Sequence, residues 1–163
     1  MPNEPKDELA IQHIISRIEL IQGSPTYHTT LDTNNIVRNF KNPLKAPDDK
    51  FPLINITSSP RADYIRNAAN QAGRDWGRLP DIQVNTNIEI FLAVIGEDSY
   101  LQLLRLRDDI TRCLSNDFTL GGNVRDWYPV SWEAGYAWET QSRYMGTAIY
   151  TIRIVWTFRK ATP

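Results

Sequence analysis

The chain contains few residues that could perform acid–base or nucleophilic chemistry, and they are scattered. Its two histidines, His13 and His28, show no spacing typical of a metal site or of a nucleophile and its base. Asp108 and Asp109 are adjacent on a predicted helix, where neighbouring side chains project about 100° apart, so they cannot easily share one proton or metal ion. We expect a solvated helix face there, surface or half-buried histidines, and no catalytic residue.

Paired glycines in the segment LSNDFTLGGNV, residues 114–124, raise the question of a phosphate cradle. The segment lacks the Lys-Ser/Thr of a P-loop and the further glycine of a dinucleotide fingerprint, and it leads into a strand pattern instead of a helix. We interpret Gly121 and Gly122 as a structural turn, because glycine tolerates the positive φ that other residues resist. No cofactor and no metal site is predicted.

Cys113 is the only cysteine, so the chain cannot form an internal disulfide. It lies among Leu104, Ile110 and Leu114 on a predicted helix. This apolar pattern favours a small buried hydrophobe over a reactive thiol.

Length and charge restrict the function classes. The 163 residues fit one domain, residues 1–163, with flexible ends expected at 1–5 and 160–163. The formal net charge of −1 provides no global basic field for nucleic acid or anionic lipid. No apolar run approaches the roughly 20 residues that span a bilayer, and the start MPNEPKDE is acidic where a signal peptide is basic. We expect a cytoplasmic protein without a membrane partner.

The spacing of apolar residues predicts the helices and strands that position these residues. Apolar residues near the 3.6-residue period predict a helix over residues 9–21, ended by Gly23, and a second helix from Asp98 or Ser99 to Leu114. Alternation predicts strands at 27–31 with a continuation at 36–37, at 51–57, at 82–94, at 124–134 and at 148–158. Pro129 confines its strand to an edge or a bulge. Residues 58–80 are polar and predict a long loop with one helical turn near 64–69.

This order of elements predicts an α+β fold. We expect a two-layer sandwich in which a mostly antiparallel or mixed β-sheet of about five strands carries two α-helices packed on one face. The other face is polar except for Phe91, Ile149 and Val155, which predict an exposed apolar stripe that a partner covers.

Aromatic residues concentrate in the last two strands and their link, a density typical of a core or a protein interface. They are Trp127, Tyr128, Trp132, Tyr136, Trp138, Tyr144, Tyr150 and Trp156. Stacking on single-stranded nucleic acid is disfavoured, because residues 126–142 contain three acidic residues and no Lys or Arg.

Several segments together resemble a known family. They are SPTYHTTLDTNNIVRNF, DDKFPLINIT, NTNIEIFLAVIG, LRLRDDITRCLSNDFTLGGNV and YTIRIVWTFRK. This layout, from about residue 9 to residue 159, resembles the bacteriophage tail terminator, or tail completion, proteins, which are also called minor tail proteins. The most specific piece is the helix that ends in Asp-x-Thr-Leu-Gly-Gly, residues 117–122.

The resemblance implies a structural virion protein and no enzyme. Such a protein forms a hexameric ring that caps the head-proximal end of the tail tube, ends tube polymerisation and provides the joining surface to the head or neck. The implied partners are further copies of the chain, the tail tube protein, a neck or head-connector protein and, in a contractile tail, the sheath. Double-stranded DNA would touch the lumen only in passing, without sequence recognition. The implied location is the head–tail junction of a virion that is assembled in the host cytoplasm.

The loop and the aromatic hairpin are the candidate contact regions. We expect ring, tube or lumen contacts from Arg61, Arg66, Arg74, Arg78, Trp132, Tyr136, Trp138 and Tyr144. Three alternatives stay open. One is another neck or head-completion connector, a second is a small-molecule enzyme or binding domain that uses the open sheet face, and a third is a nucleic-acid-binding module.

Overall fold

The computed structural model describes residues 4–38, 45–66, 81–135 and 144–159, which form two helices and one sheet. In chain order the elements are α1 (Lys6–Ile18), β1 (Ile36–Val37), a short 3₁₀ turn (Asp48–Lys50), β2 (Leu53–Arg66), β3 (Asp81–Ile95), α2 (Ser99–Ser115), β4 (Asp126–Gly135) and β5 (Met145–Arg159). The predicted α+β class, with two helices packed against a five-stranded sheet, is confirmed.

The five strands lie in the order β1-β2-β3-β5-β4. β1 is parallel to β2, and every other neighbouring pair is antiparallel, so the sheet is mixed. β3 and β5 form the centre and stay in register from Asp81 opposite Arg159 to Ile95 opposite Met145. β1 and β4 are the edge strands.

Each of the outer long strands contains an irregularity at a proline. The register of β2 against β3 shifts between Ser58 and Ala62, around Pro60. The register of β4 against β5 shifts between Pro129 and Ser131. Proline has no N–H to donate to a ladder, which is why it occurs on edges and at bulges. The edge position and the bulge predicted for Pro129 are both found.

Both helices cover the same face of the sheet. α1 buries Ala10, Ile11, Ile14 and Ile18 at helical spacing, and Asp7 and Glu8 favour its first turn through the helix dipole. α2 buries Leu103, Leu106, Asp109, Ile110, Cys113 and Leu114. These side chains form one core with the inward residues of the strands, among them Ile56, Ile88, Ile90, Leu92, Ile152 and Ile154.

The strand predicted at residues 27–31 is wrong. This segment is a loop with one isolated bridge, between Gln22 and Thr30. The N–H groups of His28 and Thr29, which a ladder would use, donate instead to the carboxylate of Asp109, at 2.8–3.0 Å. The continuation predicted at Ile36–Val37 is present as β1.

The long loop predicted at residues 58–80 is wrong for its first part. Residues 58–66 belong to β2, including the part where a helical turn was predicted, and Arg66 lies opposite Ile82 of β3. Pairing with the long central strand outweighs the polar composition of this stretch. Residues 67–80 lie outside the described residues, as do residues 1–3 and 160–163 of the predicted flexible ends.

Candidate functional site

Asp117 follows α2 and stabilises the turn that leads into β4. Its carboxylate accepts the N–H of Gly121 at 2.7 Å and both the N–H and the hydroxyl of Thr119, at 3.0 and 2.8 Å. Burial raises the pKa of the Asp117 carboxyl, but these hydrogen bonds lower it by more in total, so the pKa lies below its ordinary value. His13 Nε2 of α1 lies 3.0 Å from Asp117 Oδ2, a close contact without hydrogen-bond alignment.

Gly121 and Gly122 lie in a chain reversal, with φ of +70° and +80°. The donors that a phosphate would need are already used: the N–H of Gly121 donates to Asp117 and that of Gly122 to the hydroxyl of Thr119, at 3.2 Å. The buried side chain of Leu120 also anchors the turn in the core. The geometry therefore favours the turn over a phosphate cradle.

The solvated helix face predicted for Asp108 and Asp109 holds for the first residue only. Asp108 is exposed and pairs with Arg107, at 3.1 Å. Asp109 is fully buried and binds the two loop N–H groups of His28 and Thr29. Consecutive residues of a helix project about 100° apart, so Asp108 can face solvent while Asp109 faces the core. The carboxylates do not converge.

Cys113 is buried at the contact between the two helices, as expected. Its thiol donates to the backbone oxygen of Arg17, at 2.9 Å. Burial raises the pKa of Cys113, and the opposing contacts of Tyr27 and Arg17 do not reverse this. The thiol is therefore protonated at neutral pH, which argues against a nucleophilic role.

Four of the eight predicted contact residues lie in the described ranges, and these four are spread over different parts of the sheet. Arg61 lies exposed on β2, 3.6 Å from Asp63, and Arg66 is the last residue of the same strand. Trp132 lies on β4, at the opposite side of the sheet, and Tyr144 is exposed just before β5. Arg74, Arg78, Tyr136 and Trp138 lie outside the described residues.

A groove between α2 and β4, which we call the α2–β4 groove, has a volume of about 660 Å³. The guanidinium of Arg107 lies 5.4 Å from the ring centre of Trp132, within cation–π range. Trp132 meets Tyr150 edge to face, and the Tyr150 hydroxyl shares a hydrogen bond of 2.9 Å with Thr111. Val130 and Arg112 also line the groove.

The sequence analysis named Trp132 as a candidate contact residue but did not name Arg107 or Thr111, which line the same groove. These two residues are four positions apart on α2, so they lie on one helix face. That spacing indicates a shared face, but it cannot show that β4 lies beside it. Among the described residues no group of three His, Cys, Asp or Glu side chains could hold a metal ion.

The uncovered sheet face carries another, smaller hollow. Phe91, Glu133, Thr147 and Ile149 line it, with a volume of about 250 Å³. Ile149 is 37% exposed and Phe91 is half-buried, but Val155 is only 8% exposed. The predicted exposed stripe is therefore wrong at Val155.

Comparison with models of known protein families gives no match, and comparison with curated proteins gives none either. None of the helices in the described ranges is long and apolar enough to cross a membrane.

Proposed function

We propose that the protein is a structural virion protein that forms a ring of six copies at the head-proximal end of a phage tail tube. The ring ends tube polymerisation and provides the surface that joins the tail to the head or neck. The family resemblance of the sequence, above all the helix and turn at residues 104–124, supports this assignment.

The observation that carries the proposal is the placement of the exposed large apolar side chains. Of the ten in the described residues, half lie on α2 or in connecting segments, and the other five lie on the outer strands or on the uncovered sheet face: Tyr64, Ile65, Tyr128, Val130 and Ile149. Exposed apolar groups on strand edges and open faces are typical of protein interfaces, whereas small-molecule sites are enclosed. This distribution favours assembly over ligand chemistry.

The titratable groups singled out in the sequence support the same class of function. Asp109 and Asp117 accept backbone N–H groups, and Cys113 donates to a backbone oxygen. Each of these side chains therefore stabilises a loop, a turn or a helix contact. None of these three side chains lines the α2–β4 groove or the hollow on the uncovered face, although Asp108 does line the groove.

A ring that stops a polymer needs different surfaces on its different sides. Closed cyclic assemblies use heterologous contacts, in which one patch of a subunit meets a different patch on the next. One rim must then match the tube subunits, and the other must not accept a further ring of them. Termination follows from this asymmetry and requires no reaction.

The test is an assembly reaction with the cognate tail tube protein. We expect that the purified full-length protein, added to growing tubes, stops their elongation and appears in electron micrographs as a six-fold collar at one tube end. A variant with the turn residues 121 and 122 changed to Val provides an unfolded control, because positive φ is strained for Val.

Three results would count against the proposal. Tubes that grow to the same length with and without the protein would contradict it. Binding to a portal or neck complex but not to tubes would favour another connector. A monomer that turns over a small molecule, with no ring in solution or on tubes, would replace the proposal with an enzyme.

A further inference from the structure

Two edges at opposite ends of the same sheet are open. β1 pairs with β2 only at Ile54 and Asn55, so within the described ranges the outer edge of β2 has no strand partner from Thr57 onward. The outer edge of β4 has none there either. Unpaired strand edges present rows of N–H and C=O groups that can accept another strand.

Each edge has a regular part beyond its proline. Pro60 and its bulge break the β2 edge, and residues 62–66 beyond it are regular. Pro129 and its bulge break the β4 edge, and residues 131–135 beyond it are regular. Prolines and bulges block strand addition where they occur. Within the described residues, these two segments are therefore the parts of the edges that can accept another strand.

The directions of the strands suit an antiparallel contact between copies. Each step from β2 through β3 and β5 to β4 is antiparallel, so β2 and β4 run in opposite directions within one sheet. A second copy in the same orientation can place its β2 beside β4 of the first copy as an antiparallel neighbour. To bring residues 62–66 beside residues 131–135, the second copy must be shifted along the strands by about seven residues, because Tyr64 is level with Val84 of β3 whereas Glu133 is level with Phe91. The helix-covered faces of the two sheets then adjoin.

The charges of the two segments disfavour a contact between two β4 edges. Residues 62–66 carry Asp63 and Arg66, a formal charge of zero, and residues 131–135 carry Glu133, a charge of −1. Two segments 131–135 side by side would bring two carboxylates together, whereas residues 62–66 bring no net negative charge against Glu133. A contact between unlike edges is heterologous and generates rings or filaments.

An exposed aromatic residue on one edge faces the same side as the groove on the other. Tyr64 lies opposite the buried Val84, on the helix-covered side of the sheet, yet 67% of its surface is exposed. Trp132, which lines the α2–β4 groove, is on that side too, opposite Tyr150. Burying one tyrosine ring removes about 150–250 Å² from water, a useful share of the roughly 800 Å² per partner in a stable interface.

We propose that residues 62–66 of one copy add as an antiparallel strand to residues 131–135 of the next copy, and that Tyr64 enters the α2–β4 groove. Its ring contacts Trp132 and Arg107, which already form an aromatic–cation pair. This inference rests on the proposed ring, because the same contact repeated around an axis closes it. The partner is a second copy of this chain.

Cysteine pairs in the full-length protein test the contact. Asp63→Cys and Ile65→Cys are each combined with Glu133→Cys, because these three residues lie on the uncovered face and two pairings cover two registers. Mild oxidation should give a ladder of cross-linked species that ends at six copies. Each single-cysteine variant should stay uncross-linked, since a heterologous contact brings cysteine against a native residue. Cys113 is buried and can remain.

Tyr64→Ala provides a second readout, with Tyr100→Ala as its matched control. The two tyrosines are similarly exposed, at 67% and 63%, but Tyr100 lies on α2, on neither edge strand, and does not line the α2–β4 groove. Tyr64→Ala should raise the concentration needed for half-maximal association by about tenfold or more, and Tyr100→Ala should leave it unchanged. Circular dichroism verifies that both variants fold.

The outcomes separate this inference from the proposed function. Dimers from a single-cysteine variant mean a two-fold contact and overturn the inference. A six-copy ring without cross-links in either double variant, or with equal effects of the two tyrosine changes, overturns the inference and leaves the proposed function standing. A monomer at every concentration, with and without tubes, overturns both.

Discussion

Neighbouring aspartates in α2 have opposite structural roles. Asp108 is largely exposed, at 56% of its side chain, and pairs with Arg107 on the surface. Asp109 is completely buried, and its partners are backbone N–H groups rather than a cation. A buried carboxylate is tolerated only when hydrogen bonds compensate for its lost hydration. Asp109 therefore stabilises the loop that follows α1.

Asp109→Ala should lower the free energy of unfolding by about 3 kcal/mol or more, because two loop N–H groups lose a charged acceptor. Asp108→Ala should change it by no more than about 0.5 kcal/mol. Urea unfolding of the two variants beside the parent measures both. Similar losses for the neighbours would show that Asp109 does not hold the loop.

Gly121 and Gly122 have similar positive φ but different surroundings. A Cβ on Gly121 would lie 2.7 Å from His13 Nδ1, whereas a Cβ on Gly122 meets nothing within 4 Å. Each change to Ala should cost about 1–2 kcal/mol of stability through φ strain, and Gly121→Ala should cost more because of the clash. His13→Ala should reduce that excess in a double-mutant cycle. Equal losses of stability at both glycines would show that the His13 side chain can move away from the added Cβ at no cost in free energy.

The Asp117 turn should make stability depend on acid pH. The folded pKa of Asp117 lies below its unfolded value of about 3.9, so its contribution is fully present above that pH. It is lost as pH falls through the lower, folded pKa. Urea midpoints measured from pH 7 down to pH 2 should fall less steeply for Asp117→Asn than for the parent below about pH 4. Parallel curves would mean that the turn does not favour the charged carboxylate.

The inner strands of the sheet are paired on both sides, whereas the outer strands are not. β3 and β5 have partners on both sides along most of their length, whereas β2 beyond Asn55 and β4 have described partners on one side only. Local opening of a strand costs less when one side is unpaired. The centre of the sheet should therefore open last.

Amide hydrogen exchange can measure this difference. In the dilute monomer, β3 and β5 amides should exchange slowest, and the outward N–H groups of residues 62–66 and 131–135 should exchange within the fastest class of strand amides. In the assembled ring those two segments should become protected together. Protection of only one segment, or of neither, would contradict the proposed strand addition.

In the whole molecule, the two open strand edges lie on opposite sides of one sheet. Such a molecule can extend the sheet from copy to copy, whereas two β4 edges, each with Glu133, repel each other. In the proposed ring, the rotation between neighbours sets the number of copies at which the ring closes. The proposed number, six, is what the family resemblance implies.

Mass photometry of the purified protein over a dilution series should show one assembled species at six times the 18.8 kDa of a copy, with few intermediates. Few intermediates are expected because the last subunit makes two contacts while each earlier one makes a single new contact. A dimer as the main species, or a continuous series of lengths, would contradict a closed ring.

The elements whose causes are local could be predicted from the sequence. The 3.6-residue pattern predicted both helices, the alternation predicted β3 and β5 and the first part of β2, and Pro129 indicated that β4 is an irregular edge. Turn chemistry gave the reversal at Gly121 and Gly122, since positive φ is a property of the residues themselves. These features together fixed the α+β class.

Features that depend on distant partners could not be predicted from the sequence and are seen only in the three-dimensional fold. Residues 27–31 alternate like a strand, but Asp109, about 80 positions away, takes their N–H groups and keeps them in a loop. Residues 58–66 are polar, but β3 offers a ladder that extends them as a strand. Arg107 of α2 and Trp132 of β4 meet in the α2–β4 groove because the fold places β4 beside α2. The physical reason is that hydrogen bonds and burial across the fold outweigh local preferences of a few tenths of a kcal/mol per residue.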